Sequence, residues 1–118
     1  MALVFSKQLL SGSTNGHLIE VNGTSSPGTT IHTVQATATA AMEEVYAYVV
    51  NSATLDTEMT MEFGGTGTND HINFTVPARD GLYQVVPGVP LTATSSIVRA
   101  FATATGRLHI GGWVNRAT

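Results

Sequence analysis

The alternation of residues 57–63 and 72–76 constrains this chain more than any other feature of its sequence. Thr57, Met59, Met61 and Phe63 interleave with Glu58, Thr60 and Glu62, and Ile72, Phe74 and Val76 interleave with Asn73 and Thr75. A period of two puts one set of side chains on each side of an extended strand, whereas a helix needs apolar residues three and four apart. Gly64-Gly-Thr-Gly-Thr-Asn-Asp70 separates the two runs. The pair therefore reads as a hairpin, its apolar face turned inward and its acidic face, Glu58 and Glu62, turned outward.

The same grammar runs along the rest of the chain. His17–Val21 precedes Asn22-Gly-Thr-Ser-Ser-Pro-Gly28, and Thr29–Ala36 follows it. Leu82–Val86 lies between Asp80-Gly81 and Pro87-Gly88, and Ser96–Ala102 is joined to Gly106–Arg116 by Thr103-Ala-Thr. Glu43–Asn51 carries Val45, Ala47 and Val49 on one side and Tyr46, Tyr48 and Val50 on the other, the pattern of a strand buried on both faces. A helix over Ala36–Val50 competes with it, because Val34, Ala38, Met42, Val45 and Val49 also fall at helical spacing. Thr33, Thr37 and Thr39 favour a loop followed by a strand. About eight short strands separated by turns predict an all-β fold, a two-sheet antiparallel sandwich of jelly-roll-like type. Residues 17–118 form that domain. Residues 1–16 end in the turn formers Ser11-Gly-Ser-Thr-Asn-Gly16 and read as an N-terminal arm or as a first edge strand.

Composition narrows the function. With no cysteine there is no disulfide, no thiolate nucleophile and no cysteine-ligated metal. Charged residues are 11% of the chain, against roughly 25% in an average domain. A surface so weakly charged suits contact with other protein. The net charge is −3, and Lys7, Arg79, Arg99, Arg107 and Arg116 are scattered, so no basic stripe exists for nucleic acid. No apolar run is long enough to span a membrane, and Lys7 interrupts the only apolar stretch near the N-terminus. These features point to synthesis in the cytoplasm.

Residues able to carry chemistry do not assemble into a motif. Glu43 and Glu44 are adjacent, and neighbours on a strand point to opposite faces, so they cannot flank one bond. Glu58 and Glu62 share a face across Thr60, which is a solvated strand face unless further oxygens converge there to hold calcium. His17, His32, His71 and His109 lie on separate predicted strands, without the local spacing of a metal motif. The Gly64–Thr68 loop lacks the lysine and the following helix of a phosphate cradle, and no G-x-S-x-G elbow anchors a hydrolase triad. Tyr46, Tyr48, Phe63, Phe74, Tyr83, Phe101 and Trp113 read as core. Trp113 differs in following Gly111-Gly112, which leaves its ring free to stack on a sugar or a neighbouring subunit. The chain is read as non-enzymatic and without a cofactor.

Leu9–Gly16, Pro27-Gly-Thr-Thr-Ile-His-Thr33, Glu44-Val-Tyr46, Phe63-Gly-Gly65, Ile72–Pro77 leading to Gly81-Leu82, Val86-Pro-Gly88, Val98-Arg-Ala-Phe101 and Gly112-Trp-Val-Asn-Arg116 form one set of segments along the chain. Together they resemble small head decoration, or cement, proteins of tailed bacteriophages. The resemblance spans most of the chain and rests on turns and core positions. It implies a β-sandwich that assembles, commonly as a homotrimer, on the outer surface of the virion head and bridges adjacent major capsid protein subunits. Leu3, Val4, Phe5, Leu9, Leu10 and Trp113 are the expected capsid or subunit contacts. A carbohydrate-binding or host-attachment module of a head fibre or tail is the alternative, and it requires exposed aromatics such as Trp113 around a polar pocket. A jelly-roll metal enzyme would require the histidines to converge with Glu58 or Glu62.

Overall fold

The computed structural model describes residues 4–35, 42–92 and 94–117. They form nine strands: β1 (Phe5–Leu9), β2 (Ile19–Glu20), β3 (Thr29–Thr33), β4 (Met42–Asn51), β5 (Thr57–Phe63), β6 (His71–Val76), β7 (Leu82–Leu91), β8 (Ile97–Ala102) and β9 (Leu108–Ala117). A five-stranded sheet has the order β1-β9-β4-β7, with β2 sharing the β9 edge with β1, and a four-stranded sheet has the order β3-β8-β5-β6. Every pairing is antiparallel. The chain is all-β, and its two antiparallel sheets are consistent with a sandwich.

One apolar core lies between the sheets. Val45, Ala47, Val49, Val86, Leu108, Ile110 and Val114 supply it from the larger sheet, and Ile31, Met59, Met61, Val76, Val98, Ala100 and Ala102 from the smaller. These are the residues that the two-residue period turns inward. Phe63, Phe74 and Tyr83 pack against this core and are partly buried, while Phe74 and Tyr83 meet across the β6 and β7 edge with ring centroids 5.9 Å apart.

Four sequence expectations need correction. The strand at β4 is buried on one face only: Val45, Ala47 and Val49 are fully buried, whereas Tyr46, Tyr48 and Val50 are half-buried on the outer face. Strand β7 does not stop at Pro87 but continues to Leu91. It lies at a sheet edge, where proline is tolerated, and Gly88 at φ +88° accompanies the register shift between Val45 and Tyr46. Glu62 does not face solvent. It is fully buried beneath the 22–28 loop, accepting hydrogen bonds from Ser26 Oγ at 2.5 Å and Gly28 N at 2.7 Å, while Glu58 stays exposed. Leu10 is 1% exposed and belongs to the core, so it is unavailable for a capsid or subunit contact.

The N-terminal segment is tied to the domain. β1 pairs with β9 over five residues, from Phe5 opposite Ala117 to Leu9 opposite Trp113. Phe5–Leu9 is an edge strand of the larger sheet; Leu3 lies outside the described residues, as does the 36–41 part of the competing helix. Met42–Asn51 is strand throughout.

Candidate protein-contact face

The outer face of the five-stranded sheet gathers three of the six residues expected to make contacts, Phe5, Leu9 and Trp113. Register sets this directly, because residues opposite each other on neighbouring strands share a face. Trp113 on β9 lies opposite Tyr46 on β4 and Leu9 on β1, and Phe5 and Met42 lie opposite Ala117. The Tyr46 and Trp113 rings stack at 4.6 Å with planes 9° apart, and Tyr48 adds a second, looser stack at 6.0 Å. Strands β4 and β1 flank β9 on opposite sides, so the indole is held between Tyr46 and the Lys7 ammonium, which sits 4.7 Å from its centroid.

Glycine makes room for this cluster. A Cβ on Gly111 would lie 2.6 Å from Leu18 Cδ2, so the bare backbone lets Leu18 settle on the face beside Tyr48. Phe5 is 46%, Leu9 56% and Leu18 51% exposed. Leu9 and Leu18 lie beside the stacked aromatics, and Phe5 lies beyond the Lys7, Asn115 and Glu44 row; apolar surface gathered on one face in this way marks a contact site more often than scattered apolar residues do. Val4 is also exposed, one residue before β1.

Trp113 itself is placed differently from the expectation of a free ring. It is half-buried, its faces are taken up by Tyr46 and Lys7, and Nε1 is buried with no acceptor among the described residues. Family models, curated proteins and solved structures give no match to this chain. The face has to be read from its own chemistry.

Two buried polar clusters support the sheets behind it. At one end, Glu43 Oε1 accepts from His32 Nε2 at 2.6 Å, and Glu43 Oε2 accepts from Arg116 Nε at 2.6 Å and from Gln35 N. His32 Nδ1 accepts from Ser11 N at 3.0 Å, which fixes the proton on Nε2. Burial pushes the Glu43 carboxyl up, but the His32, Arg116 and Gln35 hydrogen bonds outweigh it and hold the group below its ordinary value. This cluster ties β3, β4 and β9 together across both sheets. At the other end, Asn51 donates to Leu55 O and Val76 O and accepts from Ala53 N, closing the β4 to β5 turn.

Neither cluster is arranged for catalysis. Ser11 Oγ accepts from Thr33 N, and His32 Nδ1 is taken by the Ser11 amide, so no activated hydroxyl results. The histidines stay apart: His32 is locked on Glu43, His71 lies 3.8 Å from Glu62, and no group of three metal-ligating side chains forms among the described residues. A cleft of about 110 Å³ between Thr24, Glu58, Thr60, Phe101 and Thr103 is well below the roughly 300 Å³ of a small-molecule site.

From sequence, Tyr46 and Tyr48 read as core, and nothing marks Leu18, Lys7 or Glu44 as contact residues. The signal was present for the tyrosines. Val45, Ala47 and Val49 already fill one side of β4, and an antiparallel sheet with one packed face turns the alternate residues outward.

Proposed function

We propose that this chain is a structural, non-enzymatic virion protein that decorates a tailed-phage capsid and stabilises it by bridging adjacent major capsid subunits as a homo-oligomer. The observation that carries the reading is the outer face of the five-stranded sheet, where Phe5, Leu9, Leu18, Tyr46, Tyr48 and Trp113 form a rigid apolar and aromatic surface with few charges. Stacked aromatics on paired strands give contact area at small conformational cost, and interfaces between proteins are enriched in them. The sheet order supports a jelly roll as the topology: two interleaved Greek keys produce β1/β2-β9-β4-β7 facing β3-β8-β5-β6, an architecture common among capsid and lectin domains.

Immunogold labelling of intact phage particles with antibody against the chain tests the assignment. Label distributed over the head surface is the expected result. Label confined to the tail or to fibre tips would replace decoration with attachment, and unlabelled particles would remove the virion assignment.

A further inference from the structure

The contact face carries a charge pattern that its own strands leave unpaired. Lys7, Asn115 and Glu44 stand in one row across β1, β9 and β4, Lys7 and Glu44 each opposite Asn115. Lys7 is exposed and Glu44 half-buried. Among the described residues the carboxylate contacts with basic side chains are Arg116 with Glu43, His32 with Glu43 and His71 with Glu62, so neither Lys7 nor Glu44 takes part in one. Two strand spacings of about 4.8 Å separate them, and the Lys7 ammonium leans on Trp113.

We propose that a second copy of this chain covers the face, packed about a twofold axis that runs parallel to β9. This rests on the reading of the face as a protein-contact surface and names its partner. Such an axis lays β1 of one copy over β4 of the other. Lys7 then faces the partner's Glu44, and Glu44 faces the partner's Lys7, giving two opposite-charge pairs from one row. In the neighbouring rows Leu9 faces the partner's Tyr46 and Phe5 the partner's Met42, while the two Trp113 rings meet beside the axis. Sheets packed face to face lie roughly 10 Å apart, within the combined reach of a lysine and a glutamate side chain.

Charge selects this arrangement over its obvious competitor. A twofold axis across the strands, centred on the same row, sets Lys7 against Lys7 and Glu44 against Glu44, which is repulsive in both places. The axis along β9 makes the face self-complementary, as an isologous interface requires. It yields a pair of chains, not the three implied by the resemblance to cement proteins.

Light scattering over a range of concentrations, on the wild type and on charge-reversal variants, tests the pairing. The wild type is expected at twice the 12.3 kDa chain mass. Lys7→Glu and Glu44→Lys should each weaken association at least tenfold, and the double variant, with the pattern exchanged, should restore it to within a few-fold of wild type. Matching circular dichroism and thermal melts verify that each variant folds. A trimer, single variants that associate as wild type does, or a double variant that fails to recover would each overturn the pairing. The Leu9→Asp variant separates this failure from failure of the contact face. If the wild type is monomeric but Leu9→Asp abolishes binding to purified phage heads, the face binds a different protein and only the pairing is lost. If Leu9→Asp changes neither mass nor head binding, both readings fall.

Discussion

Replacing Glu43 with alanine is expected to destabilise the protein by about 3–5 kcal/mol, the range for breaking a buried charge pair by removing one partner. Glu43 is fully buried and is the only group that joins His32, Arg116 and the Gln35 amide among the described residues. Its loss leaves a guanidinium that is 22% exposed without its carboxylate and an imidazole N–H buried without an acceptor. A domain of this size has roughly 5–15 kcal/mol in all, so the variant should lie close to unfolding at room temperature. Urea unfolding, followed by circular dichroism, measures the difference.

The pH dependence follows from the same carboxyl. Its folded value is lowered from an ordinary 4.5, so the folded state holds its proton less tightly than the unfolded chain does. The resulting stability is fully present above the ordinary value and is lost as pH falls through the lower, folded value. The urea midpoint of the wild type should therefore decline on acidification below about pH 4.5, by a part that Glu43→Gln removes. An acid decline identical in wild type and Glu43→Gln would show that other carboxylates govern it.

Gly112→Ala is expected to cost about 3 kcal/mol or more. Gly112 has φ +148°, a backbone conformation strained for any side chain, and a Cβ there would collide with the Tyr46 carbonyl oxygen on β4. Strain of that kind costs about 1–3 kcal/mol and forced displacement of packed neighbours about 1–3 more. The damage falls beside Trp113, so the stacked Tyr46 and Trp113 pair should loosen and the tryptophan emission should shift to the red in the folded variant. Gly67→Ala is the control. Nothing lies within 4 Å of a Cβ at Gly67, and its cost should stay within about 0.5 kcal/mol.

The two-residue period at Thr57–Val76 carried the all-β assignment because it depends only on neighbours in the chain. Met59 and Met61 are fully buried, as that period requires, and the β5 and β6 hairpin follows from the turn formers between them. Features that depend on distant parts of the chain were not legible. Glu62 reads as a solvated strand residue until the 22–28 loop, whose Ser26 lies 36 positions away in sequence, folds over it. His32 and Glu43 are 11 positions apart and Arg116 lies 73 beyond Glu43, so no spacing rule could have joined them. Pro87 reads as a strand end because its edge position, which tolerates proline, is a property of sheet order.

The contact face was half legible. Phe5, Leu9 and Trp113 were each singled out, and only pairing in register brings them together. Leu10 was grouped with Leu9 although adjacent strand residues point to opposite sides, and that rule alone would have sent one of them inward. Lys7 and Glu44 acquire meaning only from Asn115 standing between them.

Because the chain has no cysteine, a single introduced thiol reports on one position, and Leu9→Cys places it in the middle of the proposed contact face. Its rate of maleimide labelling, compared between intact phage particles and the free chain diluted to the monomer, tests directly whether this face is covered in the assembled virion. Labelling at least tenfold slower in the particles is expected; equal rates in the two states would mean that the face is open in the virion.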